Sequence, residues 1–156
     1  MPRWLTPEEQ CAWRAFIEAS SRLLDDLEHQ LQREAGLSHG DYEVLVRLSE
    51  APERRMRMSE LADQALVSRS RLSHAVSRLE SQGLLQRQAC ETDRRGMFAV
   101  LTDEGFARLE AAAPSHVDEV RRLLFDNLTE DQVRALEEIS QAVVSARREA
   151  SGRSRG

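Results

Sequence analysis

The sequence predicts a mainly helical fold with one small β-hairpin, in the order helix, helix, helix–turn–helix, hairpin, helix, helix. The first observation is that apolar residues recur at helical spacing in several segments of the chain. The second is that two short apolar runs, GLLQRQAC (83–90) and MFAVLT (97–102), enclose the polar stretch ETDRRG (91–96). The third is composition: 156 residues, 40% of them hydrophobic, fit one domain, or one core with appendages.

A long first helix is predicted at about 7–34. Thr6 stands at its N-cap position, Glu9 is placed to reach back in a capping box, and Gly36 lies where the helix should stop. The apolar positions of this helix recur at helical spacing and are Phe16, Ile17, Leu23, Leu24, Leu27 and Leu31.

Shorter helices are predicted in the middle of the chain. Ser38 caps the second helix, and EAPERR (50–55) is predicted to be a turn because of its proline. Two short helices joined by a turn follow, capped by Ser59 and Ser68. The apolar positions of the later one fall at i, i+3, i+4 and i+7 and are Leu72, Ala75, Val76 and Leu79.

Two further long helices are predicted after the hairpin. Thr102 caps the first, at about 103–125, and Pro114 should kink it because proline removes an amide donor and crowds the preceding turn. Thr129 opens the second with a capping box, and its apolar positions are Val133, Leu136, Ile139, Val143 and Val144. The basic stretch 150–156 is expected to be a disordered tail.

The charge is unevenly distributed, although a net charge of −5 at first argues against a nucleic-acid partner. Residues 51–102 carry nine Arg against six Asp and Glu, net +3, whereas residues 1–50 and 103–156 carry −5 and −3. All 22 basic residues are Arg, which makes planar, forked contacts. A compact positive unit is thus flanked by acidic ends.

The helix predicted at 69–83 has one face suited to DNA. An α-helix fits the major groove, where Arg can fork onto guanine O6 and N7, while Ser hydroxyls and the helix N-terminus suit phosphates. A preceding short helix completes a helix–turn–helix. The alternative is an ordinary solvated face. The predicted DNA-binding residues here are Ser68, Arg69, Ser70, Arg71, Ser73, His74, Ser77 and Arg78.

A hairpin directly after this helix forms a wing that can reach the adjacent minor groove. Strands are predicted at about 85–90 and 97–101, with Arg94 and Arg95 at the tip, since narrow minor grooves attract Arg. Asp93 is expected to hold Arg95 in a charge-assisted fork, and Gly96 to let the backbone turn into the second strand. The alternative is an incidental Asp–Arg pair. Asp93, Arg94 and Arg95 complete the predicted DNA-binding set.

The apolar stripes of the end helices predict a homodimer. The helices at 7–34 and 129–148 bear apolar faces that a lone winged unit cannot cover, and closed two-fold pairing is the commonest solution. Packing within one chain is the alternative. The predicted fold class is therefore mainly α with a small β-hairpin wing: a winged helix–turn–helix with N- and C-terminal dimerisation helices.

Three motifs together resemble the MarR family of bacterial transcription regulators. DRRG (93–96) resembles the family's D-x-R-G wing signature, SRLESQGLLQR (77–87) its recognition helix and first wing strand, and LTDEG (101–105) the entry into its next helix. The order of elements is similar across about residues 7–148. By position, Asp93 and Arg95 match the family's wing pair.

The resemblance implies an obligate homodimer that binds a pseudo-palindromic, double-stranded operator. Dimerisation helices are assigned to residues 1–36 and 103–149, and the DNA-binding unit to residues 37–102. The resemblance also implies repression of nearby genes until a small-molecule effector or an oxidant releases the protein. A ligand pocket would lie between the dimer helices and the winged unit, where candidate residues are Trp13, Phe16, His39, Tyr42 and Arg47.

Other functional classes find less support in the sequence. Cys11 and Cys90 belong to no CxxC pair or metal-ligand spacing, so two free thiols and no metal or other cofactor are expected, and a redox role for Cys11 is an open alternative. Motifs for phosphate-binding loops, zinc hydrolases and serine hydrolases are missing, which argues against an enzyme. A protein-interaction module is the second rival. With neither a signal peptide nor a membrane span in evidence, a cytoplasmic protein is expected.

Overall fold

A computed structural model describes the backbone of residues 1–64 and 68–153, and the side chains of these residues except Arg94 and 147–153. Within these ranges the chain forms long helices at both ends and a small sheet in the middle. The helices are α1 (Pro7–Ala35), α2 (His39–Glu50), α3 (Met58–Gln64), α4 (Arg69–Ser81), α5 (Asp103–Leu123) and α6 (Glu130–Arg153). The strands are β1 (Arg55–Arg57), β2 (Leu85–Cys90) and β3 (Asp93–Leu101).

The predicted fold class is confirmed, and side-chain caps account for most helix starts. Thr6 and Glu9 form the expected capping box of α1, with hydrogen bonds of 2.8 and 3.2 Å. Thr129 and Gln132 form the one predicted for α6. Ser59, however, does not cap α3, because that helix already begins at Met58. α5 continues through Pro114 to Leu123.

The sheet has three antiparallel strands in the order β1-β3-β2, one more than predicted. The missing strand is β1, which pairs Arg55 with Val100 and Arg57 with Phe98. The sequence predicted only a turn at 50–55, and β1 was missed because its three residues are too few to show an alternating pattern. A 3-10 turn at Pro52–Arg54 does lead into the strand.

The hairpin turn is also shorter than predicted. β3 begins at Asp93, so Glu91 and Thr92 form the turn, and Arg94 and Arg95 lie within the strand. A bulge between Ala89 and Cys90 accommodates this early start. β3 is longer than the predicted strand at 97–101 because its backbone pairing begins before the apolar run, and sequence patterning detects only that run.

The core lies between α2, α4 and the sheet. Every predicted apolar position of α4 is buried, as is Leu61 of α3. This core fixes α4 with its polar face outward. The largest fully buried side chains include Leu31, Leu45, Leu48, Leu72, Val76, Leu79 and Leu85.

By its contacts the chain divides into two units, Met1–Val117 and the residues from Asp118 onward. In the second unit, α6 bears an exposed apolar stripe that includes Ile139, Val143 and Val144. α6 extends to Arg153, so 150–153 are helical where disorder was expected, while 154–156 lie outside the described residues. The strong helix formers of the preceding stretch RREA (147–150) carry the helix into 150–153, where no proline stops it. In the described part of the chain, no helix is sufficiently long and apolar to cross a membrane.

Candidate nucleic-acid interface

The polar face of α4 is the first part of the candidate interface. Ser68 caps the helix, its Oγ accepting a hydrogen bond from the backbone N–H of Arg71 at 3.3 Å. Every residue of this helix that the sequence assigns to DNA is exposed: Ser68, Arg69, Ser70, Arg71, Ser73, His74, Ser77 and Arg78. α4 therefore presents a continuous polar surface.

Part of this surface has no partner within the described protein. The side chains of Ser70, Arg71, Ser73 and His74 make no hydrogen bond or ion pair with any residue that the structure describes. Arg71 and His74 line a shallow groove between α4 and the start of α2. Because these four side chains are exposed and unpaired, their donors and acceptors are available to an external ligand.

Arg78 differs from these four residues because its guanidinium has a partner inside the protein. Its Nη2 lies 2.5 Å from Asp41 Oδ1, and its Nε donates to Asp41 Oδ2 at 3.2 Å. The hydrogen bonds to Asp41 raise the pKa of Arg78. The sequence could not reveal this pair, because its members are 37 residues apart.

A second ion pair joins α4 to the wing. Arg87 Nη1 of β2 lies 2.7 Å from Glu80 Oε2, and the backbone N–H of Arg87 donates to Glu80 Oε1 at 3.1 Å. Arg87 Nη2 also donates to Ser77 Oγ at 3.0 Å, so Ser77 too has an internal partner. Glu80 of α4 thus fixes the first wing strand against the helix. Arg69 has only a loose pairing with the exposed Asp63, at 3.8 Å.

The geometry of the wing differs from the expected Asp93–Arg95 fork. Asp93 Oδ1 accepts a hydrogen bond from the backbone N–H of Arg95 at 3.1 Å, and Oδ2 lies 3.7 Å from Arg57 Nη1. Arg95 is exposed. Gly96 does not need a positive φ: an added Cβ would lie 3.1 Å from Cys90 Cβ, so its small size allows close packing instead. The Arg94 side chain lies outside the described residues.

Arg57 is a wing residue that sequence reasoning missed. It projects from β1 and donates to the buried Cys90 Sγ at 3.5 Å, besides pairing with Asp93. A hydrogen bond with Thr92 lowers the pKa of Cys90, and the charge of Arg57 contributes to the same effect. Arg57 therefore ties the edge strand to the base of the wing turn.

The proposed ligand-pocket residues are only partly brought together. The rings of Tyr42 and His116 pack in a tilted arrangement with centroids 4.4 Å apart, and the His39 ring centroid lies 6.2 Å from that of His116. His116 Nδ1 lies 3.0 Å from Gln30 Oε1, while Gln30 Nε2 donates to Glu34 and Ser115. His116 is therefore the donor in that contact. Trp13 and Phe16 are exposed on α1, and Arg47 is half-buried on α2.

This histidine should make stability depend on pH. Burial lowers the pKa of His116, and the charge of His39 lowers it further, against a smaller opposing effect of Glu43. Because the folded-state pKa lies below the ordinary 6.5, the unfolded chain binds more protons, and the free energy of unfolding falls as pH drops through 6.5. Above that pH the contribution is constant.

Replacing His116 with Asn keeps a donor for Gln30 but removes the titration. We expect His116→Asn to show a flatter decline in the free energy of unfolding between about pH 7 and pH 5. Urea unfolding across that range measures the decline. His29→Asn, at an exposed site on α1, is the control and should retain the wild-type decline. An equal decline in His116→Asn and the wild type would contradict the assignment.

No group of three His, Cys, Asp or Glu residues able to hold a metal ion occurs in the part of the chain that the structure describes. The site consists instead of exposed Arg, Ser and His side chains on a fixed helix, beside a basic hairpin. Such a surface can bind a polyanion and form directed hydrogen bonds. Together with the order of elements, it defines a winged helix–turn–helix protein.

Comparisons with known proteins agree with this class. The family model described as MarR family matches residues 35–96. The chain is 54% identical to Sco3205, a MarR family transcriptional regulator from Streptomyces coelicolor solved in complex with DNA, with 93% of this chain and 91% of that chain covered and a TM-score of 0.90. AbsC, a MarR family transcriptional regulator from the same organism, is 44% identical over 95% of this chain and 99% of its own, with a TM-score of 0.89.

A more distant relative is the HTH-type transcriptional repressor YetL of Bacillus subtilis. It is 26% identical over 118 residues, which are 76% of this chain and 70% of YetL. The likeness to Sco3205 and AbsC spans almost the full length of all three chains. The chain belongs to the MarR family of transcription regulators.

Proposed function

We propose that this regulator binds a specific DNA operator as a homodimer and represses transcription from it. The observation that carries the proposal is the set of four exposed side chains on α4 that have no partner among the described residues. The complex of Sco3205 with DNA supports the choice of ligand, and the name of YetL as a repressor supports the direction of control. Release by a small-molecule effector is part of the proposal.

The proposed contacts follow from position on α4. Its N-terminal half enters the major groove, where Ser70, Arg71 and His74 face base edges. Arg69, whose pairing with Asp63 is loose, takes a phosphate. The wing formed by β2 and β3 reaches the minor groove with Arg95.

The dimer assigns roles to the ends of the chain. Residues 1–36 and 103–149 serve as dimerisation helices, and residues 37–102 as the DNA-binding unit. α1 and α6 each carry exposed apolar side chains, which the partner subunit would bury in the dimer. In a two-fold dimer the half-site centres lie about 10 bp apart, one turn of the DNA helix. The exposed apolar side chains on α1 are Trp13, Phe16, Ile17 and Leu24.

Salt dependence separates this function from a protein-interaction module. Phosphate contacts displace condensed counterions, so the logarithm of the duplex-binding constant should fall linearly with the logarithm of salt concentration. Titration of a fluorescent random-sequence duplex at several salt concentrations measures the slope. Duplex binding that is missing at low salt would contradict the proposal and favour the interaction module.

The wing supplies a sharper prediction. Arg95→Lys should weaken operator binding by about 1 kcal/mol or more, because guanidinium is more weakly hydrated than ammonium and loses less on entering a narrow groove. Arg94→Lys, proposed at a phosphate that needs only positive charge, should be mild and serves as the matched control. The measurement is the operator affinity of the wild type and both variants at one fixed salt concentration. Equal losses in the two variants would mean that the wing is a non-specific phosphate clamp.

A further inference from the structure

Arg78 lies on the DNA-binding face but is held from behind by Asp41. Two nitrogens of the guanidinium reach the two oxygens of one carboxylate, at 2.5 and 3.2 Å. Such a fork fixes direction as well as distance, because both groups are planar. The side chain of Arg78 is 46% exposed, whereas that of Asp41 is only 4% exposed. The pair therefore has a half-exposed donor and a buried acceptor.

The acceptor is itself immobilised in the first turn of α2. Asp41 Oδ2 also accepts from the backbone N–H of Ser38 at 3.2 Å, and the backbone N–H of Asp41 donates to Ser38 Oγ at 3.0 Å. The same turn is tied to α1, because the backbone N–H of His39 donates to Glu28 Oε2 at 2.6 Å. Asp41 thus binds Arg78 of α4 from a turn of α2 that is itself hydrogen-bonded to α1.

Helix geometry links this anchor to the base-facing residues. His74 and Arg71 precede Arg78 by four and seven residues, so the three side chains follow one another along a single face of α4. They also line one groove together with Ser38 and Gly40. A restraint on Arg78 is therefore a restraint on the rotation of α4 about its own axis, and on where Arg71 and His74 point.

We infer that Arg78 is a positioning residue whose fork onto Asp41 sets the rotation of the recognition helix. The inference rests on the proposed DNA-binding function. A phosphate ligand at this position would require the guanidinium to leave a buried carboxylate. That exchange would leave the Asp41 carboxylate with only the hydrogen bond from the Ser38 N–H, which is unfavourable for a buried charge. The specificity of the protein therefore depends on a residue pair that need not touch DNA.

The two roles predict opposite results for Asp41→Asn. If Arg78 binds a phosphate, this change removes a negative charge and frees the guanidinium, so binding should be unchanged or tighter. If Arg78 positions α4, the fork is lost and binding to the preferred sequence should weaken. Asn can still accept from the Ser38 N–H, so the α2 cap is kept and the fold should survive, which a thermal unfolding midpoint verifies.

The experiment uses the duplex that the wild-type protein selects from a random library, at several salt concentrations. We expect Asp41→Asn and Arg78→Gln each to lose about tenfold in affinity, and the double variant to lose no more than either, because contacting partners are not additive. The salt slope should stay at its wild-type value. Base preference at the positions facing Arg71 and His74 should broaden in both variants. Arg78→Lys, which makes one contact in place of the fork, should recover part of the preference.

Arg69→Gln is the control for a phosphate contact on the same helix. It should reduce the salt slope by about one and leave base preference unchanged. Asp41→Asn that binds as tightly as the wild type, together with a smaller salt slope in Arg78→Gln, would overturn the inference and make Arg78 a phosphate ligand. A wild-type protein that selects no duplex would instead overturn the proposed function, and this inference with it.

Discussion

Replacing Gly105 with alanine is expected to lower the free energy of unfolding by about 3 kcal/mol or more, since backbone must move to make room. An added Cβ would lie 1.9 Å from the carbonyl oxygen of Leu84 and 2.8 Å from Leu101 Cδ1. Neither strand end can retreat easily, because the Leu84 carbonyl accepts from the Thr102 N–H and Thr102 Oγ1 donates to the Gly83 carbonyl. This close approach joins the start of α5 to the base of the wing.

Gly40→Ala is the matched control for this prediction. An added Cβ there meets only Ser38 Oγ at 3.8 Å, and Gly40 lies within α2 without a positive φ. Alanine should therefore be neutral or stabilising by up to about 1 kcal/mol. Urea unfolding at one protein concentration compares the variants. A Gly105→Ala protein as stable as the wild type would show that α5 does not pack against Leu84 as described.

Replacing Phe16 with Asp is expected to abolish the dimer and, with it, tight operator binding. Phe16 is 60% exposed and lies on the same face of α1 as Trp13 and Ile17. In the proposed dimer this face is covered, so an Asp there would be an unpaired buried charge, which is unfavourable by several kcal/mol. We expect an operator-affinity loss of about 100-fold or more, equivalent to about 2.7 kcal/mol.

Sedimentation at micromolar concentration provides the measurement. The wild type should sediment at twice the chain mass of 17.7 kDa, and Phe16→Asp at the chain mass. Ala15→Asp is the control, because Ala15 is an exposed neighbour on the opposite face of α1 and should leave the dimer intact. A dimeric Phe16→Asp protein would remove α1 from the proposed interface.

Local chemistry explains what could be predicted from the sequence. The capping boxes of α1 and α6 and the buried stripe of α4 depend on residues within one or two helical turns of each other, so spacing alone reveals them. The exposure of Arg71 and His74 follows from that stripe. The class of fold and the outward face of the candidate site were therefore accessible from pattern.

The remaining features depend on distant parts of the chain. β1 is a strand because Arg55 and Arg57 meet Val100 and Phe98, which no three-residue pattern can indicate. Arg78 pairs with Asp41 of another helix, and Asp93 lies 3.7 Å from Arg57 of another strand. The members of each pair are distant in the sequence and are brought together by the folded core, so spacing alone could not indicate them.

Selection of bound sequences from a random duplex library, with wild type and Arg71→Ala in parallel, tests the central claim that α4 reads bases from a two-fold dimer. The wild type should enrich a pseudo-palindrome whose half-site centres are about 10 bp apart. Arg71→Ala should lose preference at a matching position in each half-site while keeping the spacing. Enrichment of no sequence, or of one motif shared unchanged by the wild type and Arg71→Ala, would contradict the claim.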